Sequence, residues 1–336
     1  MLDQSLKNLK KNFFVLYFIS YRNECIFTLR SIPNMKKRIE GIVPPVVTPL
    51  KKDGSLDCEA LCKHHEYLIK NRVAGLFVLG TTGEGPALPQ KVKQDIIVKT
   101  VENCNKRVPV LVGISADNLE DYLSLADFAA RSGADGVVAA PPSYLPLENC
   151  ELLEFYRILG SEQQLPLYVY NMPAMTKIEM PPELVLEILN LPGVAGYKDS
   201  AGNAANFEKV AAGMKDRQDI SLFMGPDTLL CGALRAGACG GVNSGANLAP
   251  QFYVGMYEAC KNNDTAAAEK YQQWIVDLQK VYQFRENICC GVAAGLKYSL
   301  SKLDFMEKFM TRPARPIDDE PVINDFVQRF SQAFQI

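Results

Sequence analysis

No Cys-X-X-Cys pair occurs in the 336 residues, although the chain carries ten cysteines. Their irregular spacing argues against both a zinc ribbon and a disulfide framework. With 48% hydrophobic residues the chain can build a core that needs no staples. The nearest approach to a metal cluster is Cys58, Cys62, His64 and His65. The two cysteines share a helix face while the histidines point elsewhere, so no metal is expected. Reduced thiols in a cytoplasm are the simpler reading. A surplus of one charge sign is also missing. Lys plus Arg number 36 against 38 Asp plus Glu, a net charge of −2 and a pI near 5.9. That leaves no basic field for phosphate backbones or anionic lipid, so neither nucleic acid nor membrane is an expected partner. No Gly-X-Gly-X-X-Gly follows the first strand-like run, which removes the main support for a dinucleotide-binding fold.

Residues 1–34 differ from the rest. Lys7, Lys10 and Lys11 precede a short apolar run from Phe13 to Ile19. Arg22, Asn23 and Glu24 then stand where a signal peptide would carry small residues. The run is also too short for a bilayer, which takes about 20 residues. We read 1–34 as an extension outside the fold, with export as the alternative. Met35 opens a stretch that reads like a natural start. From Gly41 onward, apolar runs of strand length alternate with amphipathic stretches. Strands are expected near residues 42–48, 75–79, 108–112, 136–140, 165–170, 194–198, 221–224 and 240–243, with a helix after each. Near-continuous apolar strands separated by helices imply a parallel sheet covered on its outside. Eight units in this length predict an α/β fold, a (β/α)8 TIM barrel over residues 35–262. Beyond that the strand signal stops, and 263–336 reads as a helical region packed on the barrel.

In such a barrel the chemistry gathers at the C-terminal ends of the strands. The second ends in Leu79, Gly80, Thr81, Thr82, Gly83 and Glu84. Glycines there let the backbone turn and expose successive N–H groups to a small carboxylate, although a plain structural turn would read the same. The fifth ends in Tyr170, Asn171, Met172 and Pro173. Its phenol can relay a proton if hydroxyls hold it, or simply pack. The sixth ends in Tyr197, Lys198, Asp199 and Ser200. A lysine closing so apolar a strand points into the barrel mouth, where lost hydration favours the neutral amine that attacks a ketone. The alternative is a solvated surface charge.

Taken together, GTTGE at 80–84, YNMP at 170–173 and GYKDS at 196–200 resemble the dihydrodipicolinate synthase/N-acetylneuraminate lyase family of pyruvate-dependent lyases. PPVVTPL at 44–50 supports the match, and the likeness runs from Ile39 into the C-terminal helices. It implies that Lys198 forms a Schiff base with a 2-oxo acid and that Tyr170 shuttles protons with Thr81 as hydroxyl partner. It implies further that Thr81 and Thr82 hold the pyruvate carboxylate, and that Ser200, Gly225, Asp227 and Ser244 contact a sugar chain. No cofactor or metal is implied, and the assembly would be a homotetramer of small-molecule enzymes. Two positions depart from the pattern. Met175 stands where the synthase branch carries a carboxylate-binding arginine. Ser143, with Tyr144 beside it, stands where a neighbouring subunit's tyrosine would join the relay. The expected activity is therefore reversible aldol cleavage of a 2-keto-3-deoxy sugar acid such as N-acetylneuraminate. Dihydrodipicolinate synthase, a sugar-acid dehydratase and a non-catalytic 2-oxo acid binding protein remain as alternatives.

Overall fold

Runs such as Val110–Gly113 and Ser221–Met224 are buried along their whole length, as strands covered on both faces must be. The computed structural model describes residues 20–21, 24–25, 38–282 and 288–334. It contains eight parallel strands: β1 (Gly41–Ile42), β2 (Leu76–Val78), β3 (Val110–Gly113), β4 (Gly136–Ala139), β5 (Leu167–Asn171), β6 (Val194–Asp199), β7 (Ser221–Met224) and β8 (Gly240–Gly241). They neighbour one another in the order β1-β8-β7-β6-β5-β4-β3-β2. The ring closes through a bridge between Pro45 and Phe77, where the Val46 N–H donates to the Phe77 carbonyl at 2.8 Å. The result is a (β/α)8 barrel. β1 is shorter than the expected 42–48, because Pro44, Pro45 and Pro49 have no N–H to give to a ladder. β8 is likewise shorter than 240–243.

The connecting helices are α1 (Cys58–Lys70), α2 (Gln90–Cys104), α3 (Leu119–Ser132), α4 (Asn149–Glu162), α5 (Pro182–Leu189), α6 (Ala204–Gly213), α7 (Leu230–Arg235) and α8 (Pro250–Lys261). Asp57, Asn118 and Asn203 cap α1, α3 and α6 by accepting a first-turn N–H, which such short polar side chains do well. A single helical turn, Pro173–Thr176, follows β5 where the sequence reads as loop. Three further helices follow the barrel: α9 (Thr265–Leu278), α10 (Ile288–Lys302) and α11 (Pro321–Phe334). Their residues Ile275, Leu296, Phe326 and Phe330 belong to the same apolar cluster as Val78, Val112 and Tyr197, the layer between strands and helices. A separate inner cluster, including Val43, Phe77, Leu111, Tyr168, Tyr170 and Phe223, fills the barrel.

The described residues from 38 onward form one compact unit. The proposed extension, residues 1–34, lies outside the described residues except for a short antiparallel ladder pairing Ser20 with Cys25 and Tyr21 with Glu24. No helix among the described residues is long and apolar enough to cross a membrane.

One irregularity bears on the site. Leu167 pairs with Val194 but Tyr168 pairs with Gly196, so Ala195 is an extra residue in β6, a β-bulge. Only glycine fits at 196, since a Cβ there would lie 2.5 Å from the Tyr168 ring.

The buried face of α1 carries His64 and His65, both fully enclosed. His64 Nε2–H donates to the Asn247 carbonyl at 2.9 Å. Burial lowers His64 to about 4 and His65 to about 3 from the usual 6.5. The unfolded chain therefore binds protons before the folded one as pH falls below 6.5. Each imidazole withdraws about 1.4 kcal/mol of stability per pH unit until its own folded-state value is reached. Asp227, raised by burial to about 6, acts in the opposite direction below that pH. Asp199, also raised by burial, opposes them too, but the two imidazoles act from pH 6.5 downward, so thermal melting should shift to lower temperature between pH 6.5 and 5. A melting temperature that stays level over that range would contradict this account.

Candidate active site

Strand alternation resumes after the bulge in β6. Tyr197 joins the outer apolar layer, and Lys198 falls beside Tyr170 on the inner side. The Lys198 side chain is only 5% exposed. Its Nζ lies 4.0 Å from the centre of the Tyr170 ring and 5.1 Å from that of Phe77. No carboxylate pairs with it among the described residues, so two aromatic faces are its charge partners. Asp199 points outward instead, accepting from the Tyr197 hydroxyl at 2.9 Å and from the Ala201 N–H at 2.7 Å. Burial raises its carboxyl above the ordinary range.

The Tyr170 hydroxyl lies 3.4 Å from Thr81 Oγ1. The loop carrying Thr81 folds back on itself, with the Glu84 and Gly85 N–H groups donating to the carbonyls of Thr81 and Gly80. Thr48 Oγ1 donates to the Gly83 carbonyl at 2.6 Å. Thr82 Oγ1 and Ser244 Oγ are 2.7 Å apart, tying this loop to the end of β8. The N–H groups of Thr81 and Thr82 donate to no other described residue. They are therefore available to a small anion.

A cavity of about 480 Å³ opens above β2 to β5. Thr81, Tyr170, Ser143 and Met175 line it, together with Lys93, Asp117 and Asp121. Ser143 Oγ donates to Asp117 Oδ1 at 3.2 Å. Tyr144 is 84% exposed and does not line the cavity. Ser200 and Gly225 lie against each other across β6 and β7, where a Cβ on Gly225 would meet Ser200 Oγ at 2.1 Å. Asp227 sits apart. Its buried carboxyl accepts from the Tyr253 hydroxyl at 2.9 Å and does not line the cavity. Burial raises it to about 6, the Tyr253 hydrogen bond opposing that shift.

The structure thus brings Lys198, Tyr170, Thr81, Thr82 and Ser244 together. Of these, Thr81 and Tyr170 line the cavity with Ser143, while Lys198, Thr82 and Ser244 lie behind them and, like Asp227, are not among its lining residues. The sequence reading did not single out Lys93, Asp117 or Asp121. Asn118, a polar residue opening an amphipathic run after β3, was the available signal for the acidic wall. No group of three or more His, Cys, Asp or Glu able to hold a metal ion is found among the described residues.

The Dihydrodipicolinate synthetase family model matches residues 38–327. The chain belongs to this family. A dihydrodipicolinate synthase from Bacteroides thetaiotaomicron is 38% identical and superposes with a TM-score of 0.83, covering 89% of this chain and all of that one. An uncharacterized DapA-like lyase of Halobacterium salinarum is 32% identical over 84% of this chain and 90% of its own length. A probable 2-dehydro-3-deoxy-D-pentonate aldolase of Escherichia coli is 31% identical, over 73% of this chain and 82% of its own. The family unites pyruvate-dependent class I aldolases and lyases, and this chain is a carbon–carbon lyase of that class.

Proposed function

We propose that this enzyme reversibly cleaves a 2-keto-3-deoxy sugar acid, N-acetylneuraminate being one candidate, into pyruvate and an aldehyde. The observation that carries the mechanism is a buried Lys198 amine packed on Tyr170 and Phe77 at the end of β6. The amine attacks the C2 ketone, water leaves, and the protonated imine becomes an electron sink. As the C3–C4 bond breaks, Tyr170 takes the C4 hydroxyl proton. It then returns a proton to C3, with Thr81 as its hydroxyl neighbour. Hydrolysis of the imine releases pyruvate. The N–H groups of Thr81 and Thr82 hold the substrate carboxylate throughout. This scheme needs no metal or diffusible cofactor.

The choice of branch rests on charge. Aspartate semialdehyde brings a second carboxylate, which calls for a fixed cation such as a bidentate arginine. Met175 supplies none, and a carboxylate sheds its water unfavourably against a thioether. The cavity's lining cation, Lys93, is drawn electrostatically to the two lining acids, Asp121 and Asp117. A polyol tail suits acceptors such as Asp117 and Asp121, and the aldolase relative named above fits that preference. The competing reading, dihydrodipicolinate synthase, draws support from the 38% identity to the Bacteroides structure. The homotetramer belongs to the same proposal, supported by the exposed apolar pair Tyr144 and Leu145 beside the cavity.

The deciding measurement is kcat/KM for pyruvate release from a panel of 2-keto-3-deoxy acids, against pyruvate condensation with aspartate semialdehyde. We expect cleavage of at least one sugar acid and little or no condensation. Synthase turnover above about 10⁴ M⁻¹s⁻¹, within the normal enzyme range, would overturn the choice of branch.

A further inference from the structure

The Glu84 side chain is spent away from the cavity. Its Oε1 accepts from Lys297 Nζ at 2.8 Å and its Oε2 from the Thr311 N–H at 2.8 Å. Lys297, on α10, is 0% exposed and Glu84 8%, so the pair is buried. It joins residues 213 apart in the chain. Burial disfavours the Lys297 ammonium, and the Glu84 charge holds it. Glu84 also adopts a left-handed backbone at φ 58° and closes the turn that displays Thr81 and Thr82. A buried ion pair is a weak source of net stability, because apolar residues of the same volume often serve as well. What two charges and an amide do supply is direction. A carboxylate gripped from both sides allows the turn few other shapes.

We propose that Lys297 is a positioning residue for substrate binding. Through Glu84 it holds the turn at residues 80–84 in the form that presents the Thr81 and Thr82 amides to the substrate carboxylate. The helices beyond the barrel thereby set affinity for the 2-oxo acid. The inference rests on the imine reading of Lys198.

The test uses the full chain, pyruvate and borohydride, following the rate of covalent trapping against pyruvate concentration. Lys297→Met strands the buried Glu84 charge and so endangers the fold. The double variant Glu84→Gln/Lys297→Met removes both charges and keeps the volume, and circular dichroism melting confirms that it folds. In the double variant, half-saturating pyruvate should rise at least about tenfold, the scale of one lost charge-assisted contact. The maximal trapping rate should change less than threefold. Hydroxyacetone, a ketone without a carboxylate, should be trapped as fast as by the unaltered protein. An unchanged pyruvate half-saturation would overturn the proposal, as would an equal loss with hydroxyacetone, which marks general damage. Failure of the unaltered protein to be trapped at all would instead remove the imine reading, and this inference with it.

Discussion

Replacing Lys198 with alanine should abolish borohydride trapping by pyruvate and lower turnover on the order of 10⁴–10⁶-fold, the scale seen when a covalent nucleophile is removed. In the unaltered protein, peptide mapping should find one reduced pyruvyl group, on Lys198. The rival amines are few. Lys93 lines the cavity that Tyr170 borders and burial lowers its proton affinity, so it is the competitor to watch. Lys297 is engaged by Glu84 and fully enclosed. Neither lies against the Tyr170 ring as Lys198 does, with Nζ 4.0 Å from its centre. An adduct on Lys93, or trapping that survives in Lys198→Ala, would sink the proposed mechanism.

Tyr170→Phe should behave differently. The ring under Lys198 stays, so the amine keeps its aromatic partner and imine trapping should persist near the normal rate. Only the hydroxyl beside Thr81 is lost, and turnover should fall by about 10²–10⁴-fold, the range for general acid–base groups. The split between preserved trapping and lost turnover is the diagnostic result. A variant with unchanged turnover would show that Tyr170 is packing and that the relay runs through another group.

Much of this architecture was legible because it rests on local signals. Apolar runs such as 221–224 appear as strands with the expected bounds, and amphipathic stretches such as 250–261 appear as the helices expected between and after them. The three strand ends carrying Thr81, Tyr170 and Lys198 were readable because barrel topology sends them all to one face. What stayed hidden depends on pairing across long separations. The grip of Lys297 on Glu84 leaves no mark in either local sequence. The burial of Asp227 beside Tyr253 is equally non-local, so an aspartate near the end of β7 read as a sugar ligand although its carboxyl faces a core tyrosine. The short β1 was missed although its signal is local, because three prolines between 44 and 49 cannot sustain a ladder.

The bulge at Ala195 sets an odd–even rule for the active site. Side chains along a strand face alternately inward and outward, so each added residue exchanges the two sets. With Ala195 kept in an unbroken alternation from the outward Val194, Lys198 would fall on the helix side, and Tyr197 and Asp199 would face the barrel mouth. The enzyme would then offer a phenol and a carboxylate where it now offers an amine. Whether the chain has a nucleophile is thus decided by the bulge that takes Ala195 out of the alternation, as much as by the lysine itself. Ala195, which touches no substrate in the proposed scheme, is in that sense part of the chemistry.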